Sequence, residues 1–364
     1  MNFDTFFLRS FRILLFPFAI IYGLILRVRN FMYDKQWLKT TQFNLPIINV
    51  GNLSVGGTGK SPMVDYLVMI LKHHRRIATI SRGYKRRTKG YLLADATTTA
   101  VEIGDEPMQF HLRHPDIAVA VGEERIVAVP QLLYDKPETD VIILDDAFQH
   151  RAIQAGLNII LTDYSNLYTR DFYLPTGDLR DNISSASRAD IIVVTKCKPD
   201  LSVVERDEII KELSPLPSQK ILFTSITYGR LYQIVSQSPS EMSRQSEVLL
   251  VCGIANPKPL TDYIEENSSS YDALFFNDHH IFSIDDLKEI YNRYEKMKGP
   301  GKIIVTTEKD AVRLAKFRHE LRDMPFYVLP ISITFLFDSE REFQTLITNF
   351  IKNFSLQAGV PKLK

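Results

Sequence analysis

Pro46-Ile47-Ile48-Asn49-Val50-Gly51-Asn52-Leu53-Ser54-Val55-Gly56-Gly57-Thr58-Gly59-Lys60-Ser61-Pro62 is the stretch that decides the fold. Residues 46–50 form a short apolar run of strand type, and a helical pattern over 62–74 opens on Pro62, a residue suited to a first turn. Between them, Gly59-Lys60-Ser61 completes the pattern G-x-x-x-x-G-K-[ST] of phosphate-binding loops. Ser54 stands at the pattern's first glycine, and Gly56 and Gly57 supply the flexibility instead. Glycines let backbone N–H groups approach phosphate oxygens closely, and the helix N-terminus adds partial positive charge. The Lys60 ammonium can reach the β- and γ-phosphates, and the Ser61 hydroxyl can ligate Mg²⁺. Ser54, Gly56, Gly57, Thr58, Gly59, Lys60 and Ser61 are therefore the expected ATP-binding set.

The surroundings repeat the same alternation. Apolar runs at 77–81, 117–121, 141–144, 158–161 and 191–195 are continuous, as strands buried on both faces of a parallel sheet are. Helical patterns at 62–74, 106–114 and 123–134 fall between them. The expected fold is α/β, a doubly wound, mostly parallel sheet of the P-loop NTPase type. A second, smaller α/β unit follows, with strands at 248–252, 272–276 and 302–306 and helices at 260–265, 284–297 and 310–321. Two further runs, 221–228 and 326–334, bracket it and can pair as a two-stranded connection. A last amphipathic helix, 338–354, is expected to pack back on the body, followed by a loose tail after Ser355. The division expected is an N-terminal amphipathic helix over 1–30, a P-loop kinase domain over 31–220, a smaller α/β domain with its linker over 221–336, and a C-terminal helix and tail over 337–364.

The chain has 364 residues, 45% hydrophobic and 24% charged, which fits a folded protein of two domains. A formal net charge of +1 gives no global field for nucleic acid. Cys197 and Cys252 make neither a disulfide framework nor a metal spacing. At the N-terminus, Arg9 and Arg12 precede the apolar run 13–26, and Arg27 and Arg29 follow it. The run is shorter than the ~20 residues a spanning helix needs, Pro17 interrupts it, and no small-residue cleavage site follows. It reads as a helix lying in a membrane interface with its arginines on anionic headgroups; a buried first helix is the plainer alternative.

Val141-Ile142-Ile143-Leu144-Asp145-Asp146 ends a strand in two aspartates, where α/β sheets bind ligands. Paired carboxylates there suit Mg²⁺, since two adjacent negative charges repel without a cation. Transfer to an alcohol also wants a base near the acceptor oxygen. Asp105, Glu106, His150 and the run Asp278-His279-His280 are candidates, and spacing alone does not choose among them. Arg82 and Arg180 are cations that can spread over phosphate oxygens, and Lys85-Arg86-Arg87-Thr88-Lys89 is a basic loop.

Taken together these motifs resemble the tetraacyldisaccharide 4'-kinases, the lipid A 4'-kinases of Gram-negative bacteria. The resemblance rests on the loop through Ser61-Pro62, Ser81-Arg82-Gly83-Tyr84, Gly104-Asp105-Glu106-Pro107, Leu144-Asp145-Asp146-Ala147-Phe148-Gln149-His150-Arg151, Leu174-Pro175 with Leu179-Arg180, Asp278-His279 and Thr307-Glu308-Lys309-Asp310-Ala311. It implies transfer of the ATP γ-phosphate to the 4'-hydroxyl of an acylated glucosamine disaccharide 1-phosphate, a lipid substrate, by a peripheral or monotopic enzyme on the cytoplasmic face of the bacterial inner membrane. It implies Asp105 as the base with His279 orienting it, Lys60 and Ser61 on ATP and Mg²⁺, Asp145 and Asp146 on the metal with Glu106 and His150 nearby, and Tyr84 and Arg180 lining the site. It implies a membrane surface as partner, no nucleic acid and no obligate protein partner. Asp178 stands where a glycine or a proline-rich turn is common, and Asp181 shortens the usual glutamate. Two other readings compete: a P-loop GTPase or metal-delivery switch, whose [NT]-K-x-D run is absent at Thr195-Lys196-Cys197-Lys198, and a soluble small-molecule kinase with the N-terminal run in its core.

Overall fold

The computed structural model describes residues 12–299 and 301–357, so Arg9 and the tail beyond 357 lie outside the described residues. In the first part of the chain the elements are α1 (Phe16–Asp34), β1 (Ile47–Asn52), α2 (Lys60–Leu71), β2 (Ile77–Ser81), β3 (Leu92–Leu93), α3 (Ala100–Ile103), α4 (Asp105–Arg113), β4 (Ala118–Val121), α5 (Arg125–Asp135), β5 (Val141–Asp145), β6 (Leu157–Asp163), β7 (Ile191–Thr195), α6 (Val203–Leu213) and β8 (Lys220–Tyr228). They continue as β9 (Leu231–Gln233), β10 (Pro239–Ser240), β11 (Glu247–Cys252), α7 (Lys258–Asn267), β12 (Ser270–Phe275), α8 (Ile284–Lys296), β13 (Lys302–Thr307), α9 (Glu308–Leu314), α10 (Arg318–Leu321), β14 (Phe326–Leu329), β15 (Ile331–Phe335) and α11 (Glu340–Gln357).

A nine-stranded sheet runs β15-β8-β7-β6-β1-β5-β2-β4-β3 among the described residues. Its pairings are parallel except for β15 on β8 and β3 on β4. Its central strand β1 is buried along its whole length, as a strand covered on both faces must be. Ile48 and Val50 pack with Met63, Val64 and Leu67 of α2 and with Phe343, Ile347 and Ile351 of α11. Ile47 faces the other side, with Ile142, Leu144 and Val129. A second sheet runs β10-β9-β14-β13-β11-β12.

Three sequence expectations need correction. The run 326–334 is not one strand. It divides at Pro330 into β14 of the second sheet and β15 of the first, because proline has no N–H for a ladder. The helix expected over 310–321 begins at Glu308 and breaks into α9, a 3₁₀ turn and α10. The helix after the phosphate loop starts at Lys60, not Pro62. Gly59 precedes it at φ +86°, a left-handed turn that suits glycine.

α1 carries Pro17 in its first turn and docks along a thin stripe, Ala19, Gly23, Leu26 and Asn30. No helix among the described residues is long and apolar enough to cross a membrane.

Candidate active site

The loop from Gly51 to Ser61 leaves β1 at the carboxyl edge of the first sheet, where such sheets place ligands. Its base is fixed by side chains. The Asn52 side-chain amide donates to the Thr58 hydroxyl at 2.8 Å, and the Thr195 hydroxyl donates to the Thr58 carbonyl at 2.9 Å. Ser54 bridges to Leu179, and Val55 N–H donates to the Asp178 carbonyl at 2.8 Å, so the loop is laced to the segment that carries Arg180. A Cβ on Gly51 would meet Phe148 Cβ at 2.6 Å, so only glycine fits against the turn that follows β5.

At the end of β5 the two aspartates take different partners. Asp146 adopts φ +53° and turns to the cations: Arg180 grips it bidentately, and the Lys60 Nζ lies 3.8 Å away. Burial opposes its ionisation, but Lys60 and Arg180 win and hold it below the usual carboxylate range. Asp145 is 2% exposed, and its Oδ1 has no hydrogen-bond partner. Burial, then the charges of Glu106 and Asp146, push it up to about 7. A buried, unpartnered, electrostatically frustrated carboxylate fits a divalent cation. No three His, Cys, Asp or Glu side chains among the described residues form a cage of their own. An ion here therefore needs further oxygens from Ser61, water or phosphate, as Mg²⁺ sites in nucleotide enzymes commonly do.

Asp105 and Glu106 open α4, and the second sheet meets both. His279 Nδ1 lies 2.8 Å from Asp105 Oδ2, at a residue with φ +65°, a strained backbone of the kind found at functional sites. Arg313 Nε reaches the same oxygen at 2.9 Å, and Lys309 donates to Glu106 at 3.1 Å. Burial raises the Asp105 carboxyl, but the His279 hydrogen bond and Arg313 more than offset it, leaving Asp105 below its ordinary range. Glu106 is likewise lowered: burial is outweighed by Lys309 and by Lys60, which links it to the phosphate loop. The Tyr84 ring sits 5.8 Å from that of His279 and is mostly exposed. His150 is held down to about 4 by burial and by Arg125 and Arg82, a neutral imidazole at neutral pH.

The sequence reading named Asp105, His279, Lys60, Asp145, Asp146, Glu106 and Arg180, and the fold gathers them around the edge of the first sheet. It gave no role to Arg125, 1% exposed, whose guanidinium donates to the Gly122 and Asp145 carbonyls and tethers the ends of β4 and β5. Lys309, quoted only within the motif 307–311, has no role there and Arg313 is not singled out, although their i, i+4 spacing after a strand puts two cations on one helical face. Asp181 is wholly buried and accepts from Asn30 and Ser185 at 2.9 Å and from Arg188 at 3.1 Å, so it anchors α1. Asp178 pairs with Arg12 at 2.8 Å. α1 thus borders the site: the Tyr22 hydroxyl donates to the Arg180 carbonyl at 3.3 Å, and Arg29 donates to the Gln149 carbonyl at 2.8 Å.

A model of the family described as Tetraacyldisaccharide-1-P 4'-kinase, LpxK, matches residues 11–352. A tetraacyldisaccharide 4'-kinase of Flavobacterium johnsoniae is 46% identical over 344 residues, covering 94% of this chain and 97% of its own. That of Bacteroides thetaiotaomicron is 41% identical over 354 residues, covering 93% of each. A crystal structure described as the "apo" form of LpxK from Aquifex aeolicus in complex with ATP superposes with a TM-score of 0.74 at 26% identity, over 94% of this chain and 99% of that one.

Proposed function

The chain belongs to the tetraacyldisaccharide-1-P 4'-kinase family, and from that premise we propose how its residues divide the transfer of the ATP γ-phosphate to the 4'-hydroxyl of an acylated glucosamine disaccharide 1-phosphate. Family membership replaces the GTPase-switch and small-molecule-kinase readings. The backbone of Ser54, Gly56, Gly57, Thr58 and Gly59 cradles the triphosphate, and Lys60 and Arg180 spread positive charge over its oxygens. Asp105 accepts the proton of the 4'-hydroxyl. His279 holds that carboxylate in line, and Tyr84 flanks the imidazole. Asp145, with Ser61, Asp146 and Glu106 around it, would hold Mg²⁺, which when bound neutralises charge on the β- and γ-phosphates.

The observation that carries this reading is the Asp105–His279 contact, which sets a carboxylate of the first sheet against an imidazole of the second, one residue from a glutamate that feels Lys60. The expected working division keeps nucleotide handling within 31–220 and acceptor orientation within 221–336. The outward face of α1 exposes Phe18, Ile21, Leu24, Ile25 and Val28. With Arg27 and Arg29 it suits a membrane interface, and we place the enzyme peripherally on the cytoplasmic face of the inner membrane. The test is incubation with γ-labelled ATP and a panel of acylated disaccharide 1-phosphates. Label on the sugar's 4' oxygen is expected, and label released only as free phosphate would overturn the assignment.

A further inference from the structure

One group of buried charges lies outside the site just described. Asp65 sits on α2, the helix that Lys60 opens, with its side chain 6% exposed. Its Oδ1 lies 2.7 Å from His114 Nε2 and 3.3 Å from Arg113 Nε. Arg113, at the last turn of α4, donates from Nη1 to Glu308 Oε1 at 2.7 Å. Glu308, 5% exposed, is the first residue of α9, and its other oxygen accepts from Ile331 N–H at 3.3 Å. One guanidinium therefore joins the phosphate-loop helix of the first sheet to a helix of the second.

The position of Glu308 gives this chain its meaning. α9 also carries Lys309 and Arg313, which hold Glu106 and Asp105 at the opposite end of α4. Each end of α4 is thus ion-paired to α9: Asp105 and Glu106 at its start, Arg113 at its finish. Asp310, on the same helix, accepts from Gly253 N–H at 2.9 Å and from Arg313 at 2.9 Å, which ties α9 to the carboxyl end of β11.

We propose that the Asp65–Arg113–Glu308 chain is a strut that sets the separation between the phosphate loop and the Asp105–His279 pair, making Arg113 a positioning residue for phosphoryl transfer. This rests on the kinase reading above. In this arrangement Arg113 acts through α2 at one end and α9 at the other. Burial pushes the Glu308 carboxyl up to about 7 against the pull of Arg113. The pair is therefore held at some cost to stability, as buried ion pairs often are, and geometry is the gain. In-line transfer is sensitive to displacements of about 1 Å.

The test uses the full-length protein with Arg113→Met, Arg113→Lys and the double change Arg113→Met/Glu308→Gln. Arg113→Met should lower kcat by about 10- to 100-fold while KM for ATP changes less than about 3-fold. Arg113→Lys should recover most of that loss, since one ammonium can still bridge both carboxylates. The double variant should melt at or above the parent temperature and still turn over slowly; a merely structural pair would lower melting temperature and kcat together. Independently of turnover, nitroxides at Tyr134→Cys and Tyr291→Cys, both exposed while Cys197 and Cys252 are buried, report the distance between α5 and α8. A distribution that broadens in Arg113→Met supports the strut. One that superposes on the parent's overturns it, whatever happens to activity. Should the parent itself fail to phosphorylate the lipid, the kinase reading fails, and the distance measurement alone decides the strut.

Discussion

Arg313 Nε and His279 Nδ1 meet on a single oxygen, Asp105 Oδ2, at 2.9 and 2.8 Å, and lie close enough to each other for Arg313 Nη2 to stand 3.2 Å from the imidazole nitrogen. Arg313 is in turn locked by Asp310 and by the Gly253 carbonyl. The carboxylate proposed as base is therefore aimed entirely by side chains of the second sheet. Its Oδ1 takes no part in these contacts and is the oxygen left to meet a hydroxyl.

From this follows a pH effect with a definite sign. Arg313 helps hold the Asp105 carboxyl below its ordinary range, so the ionised base persists into acid. Arg313→Met removes the cation and raises the folded-state value. The acid limb of kcat/KM should then move to higher pH, with activity lost sooner as the pH falls. A limb that stays in place or moves to lower pH contradicts the role given to Asp105. Asp105→Asn should cost kcat ~10²–10⁴, the range for a general base.

Lys60→Ala removes the ammonium that stands 3.8 Å from Asp146 and that we assign to the triphosphate. Transfer should fall by at least ~10²–10³. Near-normal turnover with labelled ATP would sink the loop assignment.

α1 has two separable faces. Replacing the exposed Ile21, Leu24 and Ile25 by Gln should abolish flotation with anionic liposomes and leave melting temperature and ATP affinity unchanged. Asn30→Ala removes a donor from the fully buried Asp181 next to Arg180. Asp181 keeps Ser185 and Arg188 as donors, so the loss is that of one hydrogen bond to a charged group, ~1.5–3 kcal/mol; the protein should melt lower and bind ATP more weakly while still floating. The opposite pattern in either variant would mean the faces have been assigned the wrong way round.

Asp145 supplies the metal-dependent prediction. Its carboxyl lies up at about 7 without a cation, so much of it carries a proton near neutrality. A bound divalent ion should expel that proton, so Mn²⁺ affinity should drop as the pH falls from 8 to 6, and addition of Mn²⁺ in weak buffer should release acid. Asp145→Asn should abolish the release. Equal affinity across this range would exclude Asp145 as a ligand.

How much of this was legible beforehand depends on sequence distance. The phosphate loop was readable because its chemistry is contiguous: Gly59, Lys60 and Ser61 are neighbours, and the strand and helix around them are short-range patterns. The acid pair was readable for the same reason. The proposed base was not, since Asp105, Glu106, His150 and the histidines at 279 and 280 look alike without their partners; only family resemblance singled out Asp105 and His279. Lys309 and Arg313 reach residues 203 and 208 positions away, a relation that no local pattern encodes. Asp181 is legible in the sequence only as a shortening of the usual glutamate, and its place as a buried anchor is not, because burial is a property of the packed chain. The break at Pro330 was available in the sequence, yet the β-rich residues on both sides of it masked a change of sheet.

That break has a wider consequence. Tyr228, ending β8, and Ile331, opening β15, are cross-strand partners, and Gly229 N–H closes on the Pro330 carbonyl at 2.9 Å. The entire six-stranded sheet thus leaves and re-enters the protein at the tip of one hairpin, as a cassette plugged into a two-pin socket. Exchange of that cassette between relatives at these two bonds leaves every ladder of the nine-stranded sheet intact. What has to travel with it is the complementarity of its 308–313 helix to Asp105, Glu106 and Arg113, which makes those three side chains the keying of the plug.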